Sequence, residues 1–132
     1  PDRHTERGIL SGTDRRELLQ SLKPVFTTRQ LLKMQQQIRQ VHISSALLDY
    51  VQDILEFSRH SQYFLTGLSP RAGLALLRAA QAWAFIHNRE MVIPDDVKAV
   101  LGSIILHRLI IRDDQNQSEQ HIMSLFNELP IP

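Results

Sequence analysis

Apolar residues recur at every third or fourth position over most of the chain, and Pro, Gly and Ser cluster in the short segments between these runs. This spacing places the apolar side chains on one face of a helix, whereas the strict alternation typical of a strand is confined to a few residues. Glycine is scarce, with 5 among 132 residues. The pattern therefore predicts an all-α fold, a small helical bundle of about five to six helices.

Polar residues mark the helix starts in the first part of the chain. Asp2 is predicted to cap a helix that runs to about Leu10, and a second, short helix is predicted over residues 15–22. Thr27 and Gln30 have the spacing of a capping box, in which each side chain accepts a hydrogen bond from the other residue's backbone N–H. We therefore expect a further helix directly after Thr27.

The helix predicted after Ser44 has an apolar face and an acidic face. Asp49, Asp53 and Glu56 follow one another at helical spacing on the acidic side. Such a stripe could bind a cation or a basic partner, but it is more typical of the solvent side of an amphipathic helix. The opposite face carries Leu47, Tyr50, Val51, Ile54 and Phe57.

Ser69 and Pro70 predict the start of the most apolar helix in the chain. Ser is a favoured N-cap residue, and Pro at the first helical position sacrifices no intrahelical hydrogen bond. Nearly every residue from Ala72 to Ile86 is apolar, as is typical of a central, buried helix. Arg71 does not fit this pattern, because a cation in the first turn faces the positive end of the helix dipole.

Two interpretations of Arg71 are open from the residues alone. It is either a surface arginine that happens to follow a Ser-Pro cap, or part of an anion-binding helix start. In the second case the free backbone N–H groups and the dipole attract a phosphate, and the guanidinium adds a planar pair of charge-assisted hydrogen bonds.

Composition excludes several classes of function. The chain has no cysteine, which rules out disulfides and thiolate metal sites, and its net charge is +1. Residues 1–43 hold eight Lys and Arg against four Asp and Glu, but these charges are spread along helices. We therefore expect solvated faces and no nucleic-acid binding. No apolar run reaches the ~18 residues of a membrane span.

The chain begins at Pro1 without a signal-peptide pattern, so we expect a piece of a longer, cytoplasmic protein. It contains no phosphate loop, dinucleotide fingerprint, zinc-peptidase motif or nucleophile elbow. The six histidines show no metal-ligand spacing. We predict no metal site and no catalysis by this chain alone.

Several short motifs stand together between Thr66 and Arg108. They are Gly-Leu-Ser-Pro-Arg-Ala at 67–72, Leu-Leu-Arg-Ala-Ala at 76–80, Asn-Arg-Glu at 88–90 and Pro-Asp-Asp-Val-Lys-Ala at 94–99. In this combination the sequence resembles the C-terminal helical lid of MoxR-type AAA+ ATPases. The similarity extends over nearly the whole chain and is weakest at residues 11–22.

The resemblance implies that residues 1–132 form one lid domain over ATP bound in an α/β core, which this sequence does not include. In the family, the arginine of the Ser-Pro-Arg motif is the sensor 2 residue. Arg71 would then contact the γ-phosphate and take part in catalysis, with Ser69 and Pro70 beside it at the nucleotide. ATP and Mg²⁺ would be held mainly by the core, so we expect no nucleotide bound tightly to the lid alone.

The same resemblance implies partners. They are the lid's own core, the neighbouring subunits of a ring that is usually hexameric, client complexes, and von Willebrand factor A domain proteins. The whole protein would act as a chaperone-like ATPase. One position departs from the family, because Ile93 stands where a capping residue is usual, which removes a side-chain cap worth about 1 kcal/mol.

Two other classes of protein are open. A long central helix followed by a helix that starts at Pro94 also resembles a histone-fold pair, which would make the chain a dimerisation or DNA-binding module. The acidic excess of residues 44–132, ten Asp and Glu against seven Lys and Arg, argues against DNA binding. A helical scaffold or adaptor without nucleotide is the remaining alternative.

Overall fold

The computed structural model describes residues 2–11, 19, 21–112 and 118–131. These residues are mostly helical and contain one short antiparallel sheet, which confirms the predicted all-α fold class. The helix predicted over residues 15–22 lies mostly outside the described residues. The elements are α1 (Arg3–Ser11), α2 (Thr28–Ile38), α3 (Ser45–His60), β1 (Phe64–Thr66), α4 (Pro70–Ile86), α5 (Pro94–Ile105), β2 (Ile110–Ile111) and α6 (Glu119–Asn127).

The chain divides into two compact units, and the first unit ends at Leu32. The helix starts predicted at Asp2 and Thr27 in the first unit are confirmed. The Thr5 amide donates to Asp2 Oδ1 at 2.7 Å. The Thr27 amide donates to Gln30 Oε1 at 2.8 Å, and the Gln30 amide donates to Thr27 Oγ1 at 3.3 Å. The division does not test the single lid domain expected over residues 1–132, which stays a prediction.

The core of the second unit is formed by α3, α4, α5 and α6. The cap of α3 is Ser44, whose Oγ accepts a hydrogen bond from the Leu47 amide at 3.1 Å. The predicted apolar face of α3 is also confirmed, although Phe57 is only half-buried. Fully buried large side chains from these helices include Tyr50, Ile54, Leu76, Val97, Leu101, Ile105 and Phe126.

A turn at Asn88 ends α4, and residues 87–93 join it to α5, which packs closely against it. Asn88 has a φ of 56°, the left-handed conformation that commonly ends a helix. Its amide donates to the Phe85 carbonyl at 3.0 Å, and the Arg89 amide donates to the Ala84 carbonyl at 2.9 Å. This pair of bonds is a Schellman motif, which satisfies the last carbonyls of α4.

The carboxylate of Asp96 accepts a backbone hydrogen bond at the start of α5. The backbone N–H of Ile93 donates to Asp96 Oδ2 at 2.9 Å, so half of a capping box exists although isoleucine cannot supply the other half. Asp96, whose side chain is 1% exposed, also forms an ion pair with Arg89 at 2.5 Å. The Asp96 amide, which a side-chain cap at residue 93 would bind, donates to the Ile93 carbonyl at 2.9 Å instead.

Tyr50 of α3 lies near this helix start. Burial raises the pKa of its phenol, and the negative charge of Asp95 acts in the same direction. The hydroxyl is therefore neutral at pH 7.

The sheet was not predicted from the hydrophobic pattern. Strand β1 pairs antiparallel with β2, with Phe64 opposite Ile111. An isolated parallel bridge also joins His42 to Met91. The strands are too short for alternation to be recognised, because two or three residues also fit a helical turn.

Candidate functional site

Arg71 lies in the first turn of α4, with its side chain exposed to solvent. The predicted helix start is confirmed: Ser69 is the N-cap residue and Pro70 is the first helical residue. The predicted side-chain cap is wrong, because Ser69 Oγ makes no capping hydrogen bond. Instead, the Ser69 carbonyl accepts hydrogen bonds from the amides of Ala72 at 2.9 Å and Gly73 at 3.3 Å.

The positive end of the α4 dipole has no carboxylate in its first turn, whereas that of α5 has two. Both helices begin with Pro, but α5 has Asp95 and Asp96 in its first turn and α4 has no acidic residue there. The side chain of Arg71 makes no hydrogen bond or ion pair with any residue that the structure describes. The start of α4 is therefore a positive, solvent-facing surface that suits an anion. It combines the helix N-terminus with the guanidinium of Arg71 and the Ser69 hydroxyl, which makes no capping hydrogen bond.

The helix that carries Arg71 is buried on one face only. The apolar run predicted a helix buried nearly all round, but Leu74 is 58% exposed and Ile86 is 69% exposed. Arg71 and Arg78 are exposed as well. The buried positions of α4 are mostly small, which brings its backbone close to the neighbouring helices. They are Ala72, Gly73, Leu76, Ala80, Gln81 and Ala84.

The segment just before Arg71 is held by the end of α3. Ser58 Oγ accepts a hydrogen bond from the Leu68 amide at 2.9 Å, and Arg59 Nε donates to the Leu68 carbonyl at 2.9 Å. Sequence reasoning missed both contacts. A signal was present, because Ser58 is the next position of the buried stripe that includes Val51 and Ile54, where an apolar residue is expected.

At Gly67 the backbone of the segment before Arg71 lies very close to the end of α3. A Cβ at this position would lie 2.7 Å from Arg59 Cα, a distance that real side chains do not adopt. Because backbone atoms cannot move aside as a side chain can, we expect Gly67→Ala to lower the free energy of unfolding by about 1–3 kcal/mol. Chemical denaturation of the chain measures this loss.

Gly102 is the matched control for this prediction. The closest contact of a Cβ there is 3.4 Å, to the sulfur of Met123. Gly102 lies within α5, so Gly102→Ala is expected to stabilise the protein by about 0.5–1 kcal/mol through helix propensity. Equal effects of the two substitutions would contradict the close approach at Gly67.

A groove of about 990 Å³ lies elsewhere on the second unit, between α5, β2 and α6. Lys98, Gly102 and Met123 are among its lining residues, and none of the predicted site residues lines it. Within the described parts of the chain, no cluster of His, Asp and Glu side chains is arranged to hold a metal ion. The acidic side chains of α3 are exposed. None of the described helices is long and apolar enough to cross a membrane.

Known proteins are similar to this chain in sequence and in fold. The model of the AAA lid domain family matches residues 56–125. The chain is 26% identical to the uncharacterized protein YeaC of Bacillus subtilis, over the whole chain and 42% of YeaC. It is 31% identical to the Chaperone MoxR1 of Mycobacterium tuberculosis, over 70% of the chain and 27% of MoxR1. The crystal structure of a candidate ATPase from Cytophaga hutchinsonii covers 99% of the chain with a TM-score of 0.76 and 26% identity.

The chain is an AAA-type helical lid, since it belongs to the AAA lid domain family. Within that class, its relatives assign it to the MoxR type of AAA+ ATPase, which confirms the resemblance drawn from the motifs. The histone-fold alternative is not favoured. The chain spans less than half the length of the relatives it matches: 42% of YeaC, 27% of MoxR1 and 44% of the Cytophaga protein.

Proposed function

We propose that this lid contributes Arg71 as the sensor 2 residue of a MoxR-type AAA+ ATPase. The observation that carries the proposal is the start of α4, where the exposed side chain of Arg71 has no partner among the described residues and the first helical turn has no carboxylate. In this role the guanidinium contacts the γ-phosphate of ATP. It stabilises the charge that develops on the phosphoryl oxygens during hydrolysis.

Ser69 and Pro70 complete the proposed nucleotide contact. Pro70 determines where the helix begins. The Ser69 hydroxyl makes no capping hydrogen bond, so it can bind a phosphate oxygen or a water molecule next to it. Mg²⁺ belongs to the α/β core, because proteins usually bind it through carboxylates beside the nucleotide's phosphates and the first turn of α4 has no acidic residue. The lid therefore reports the nucleotide state and does not hold the nucleotide by itself.

The proposal extends to the whole protein. We infer a cytoplasmic, chaperone-like ring ATPase, usually a hexamer in this family, in which the lid contacts its own core and the neighbouring subunits. Its partners would be client complexes and von Willebrand factor A domain proteins. The support is the membership of the MoxR type and the name of MoxR1 as a chaperone.

The test is ATP hydrolysis by the full-length ATPase. We expect Arg71→Ala to lower kcat about 100-fold or more, the usual effect of removing a group that stabilises developing charge. Arg71→Lys should keep part of the activity, since it restores the charge but not the two-pronged geometry. Steady-state kinetics at saturating ATP and Mg²⁺ give both values.

Arg78→Ala is the matched control. Arg78 lies about two turns further along α4, is exposed, and has no partner among the described residues. Its removal changes the net charge by the same amount as Arg71→Ala, but it lies away from the helix start. If Arg71→Ala hydrolyses ATP as fast as Arg78→Ala does, the sensor 2 assignment is wrong.

A further inference from the structure

We propose that Ser58 and Arg59, near the end of α3, are positioning residues that determine where Arg71 points. The inference rests on the proposed role of Arg71, because its position affects hydrolysis only if it meets the nucleotide. Neither side chain lies in the first turn of α4. Both act through Leu68, whose backbone leads into that turn.

Ser58 holds the amide of Leu68 in a dry environment. The serine is 0% exposed, and its Oγ accepts from the Leu68 amide at 2.9 Å. The same hydroxyl donates to the Leu55 carbonyl at 2.6 Å, so its only hydrogen is engaged within α3. The hydroxyl is thereby oriented, and its lone pair offers one fixed place for the Leu68 amide.

Arg59 holds the other polar group of the same residue. Its Nε donates to the Leu68 carbonyl at 2.9 Å, although the arginine as a whole is exposed. Both backbone polar groups of Leu68 therefore bind adjacent side chains of one helix. A residue fixed at both its donor and its acceptor can neither rotate nor slide without breaking a hydrogen bond.

Two glycines extend this attachment on both sides of Arg71. A Cβ at Gly67 would lie 2.7 Å from Arg59 Cα, and a Cβ at Gly73 would lie 2.8 Å from Leu55 Cδ1. The chain thus touches α3 shortly before and shortly after Arg71. The backbone of Arg71 is held between these contacts, while its guanidinium extends into solvent.

A merely structural role makes a different prediction from positioning. If Ser58 only stabilises the fold, hydrolysis falls only as the folded fraction falls. If it positions Arg71, hydrolysis falls in fully folded protein, since small displacements of a catalytic group have large effects on rate. Positioning also requires that the effect of Ser58 disappear once Arg71 is gone.

The experiment measures kcat and KM for ATP in the full-length ATPase at a temperature where every variant is folded. We expect Ser58→Ala to lower kcat about tenfold with a change in KM of about twofold or less. Ile54→Val is the control matched for stability, because it removes one buried methyl group from the same helix. It should leave kcat near the wild-type value.

Two further arms cover other outcomes. Arg59→Met removes the donor to Leu68 at an exposed position, so it remains informative if Ser58→Ala does not fold, and Arg59→Lys should restore part of the activity. In an Arg71→Ala background, Ser58→Ala should cause no further loss of kcat.

The positioning role is overturned if Ser58→Ala and Arg59→Met behave like Ile54→Val. It is also overturned if Ser58→Ala multiplies the loss already caused by Arg71→Ala. In both cases the sensor 2 proposal survives as long as Arg71→Ala itself lowers kcat. Full activity of Arg71→Ala contradicts the proposed function, and the positioning role then falls with it.

Discussion

Arg89→Ala is expected to lower the free energy of unfolding by about 3–5 kcal/mol, the range for removing one partner of a buried ion pair. Asp96 is 1% exposed and binds both terminal nitrogens of Arg89, at 2.5 Å and 2.6 Å. Without the guanidinium, the backbone amide of Ile93 is the remaining hydrogen-bond donor to this carboxylate. Chemical denaturation of the chain, followed by circular dichroism, measures the loss.

Removing the other charge of the pair, by Asp96→Asn, is expected to lower the free energy of unfolding by less. The side chain of Arg89 is 32% exposed, so it can turn toward water when the carboxylate charge is removed. Asp96→Asn also keeps an acceptor for the Ile93 amide. Adding Asp96→Asn to Arg89→Ala should recover about 1–2 kcal/mol, because it removes the uncompensated buried charge. A double variant no more stable than Arg89→Ala would show that the buried charge is not the cause.

The helix starts that could be predicted from the sequence are those fixed by local hydrogen bonds. Asp2, Thr27 and Ser44 each accept a bond from an amide three residues later. Such a bond depends only on residues within one turn, so the spacing of residue types is sufficient to predict it. Ser69 shows the limit of the rule. The serine correctly predicts the helix start. Its side chain is not needed as a cap, because the amides of Ala72 and Gly73 donate to the Ser69 carbonyl.

Contacts between distant segments could not be predicted in this way. The attachment of Leu68 to α3 joins residues about ten positions apart, and the pairing of β1 with β2 joins residues more than forty apart. Nothing in the hydrophobic pattern specifies which short segments meet, because that depends on the packing of whole helices. The motif resemblance made Arg71 a candidate, but only the structure shows what holds its backbone in place.

Phe126→Ala is expected to lower the free energy of unfolding by about 3–5 kcal/mol, as for other buried aromatic residues. Phe126 of α6 is 1% exposed. Its ring packs edge-on against Phe57 of α3 at 5.2 Å between centroids, and it stacks on Phe64 of β1 at 5.8 Å. Phe26→Ala is the control, because Phe26 is 55% exposed and its loss should change stability by about 0.5 kcal/mol or less.

Hydrogen exchange can show whether this aromatic cluster also supports the candidate site. Phe64 begins β1, and the chain continues from this strand through Gly67 to Leu68. If the cluster holds β1 against α3, Phe126→Ala should speed amide exchange in the strand and at Leu68 more than in the interior of α4. Uniform acceleration over all helices would mean that Phe126 contributes only to global stability. Exchange confined to α6 would mean that the Leu68 attachment is held by its hydrogen bonds alone.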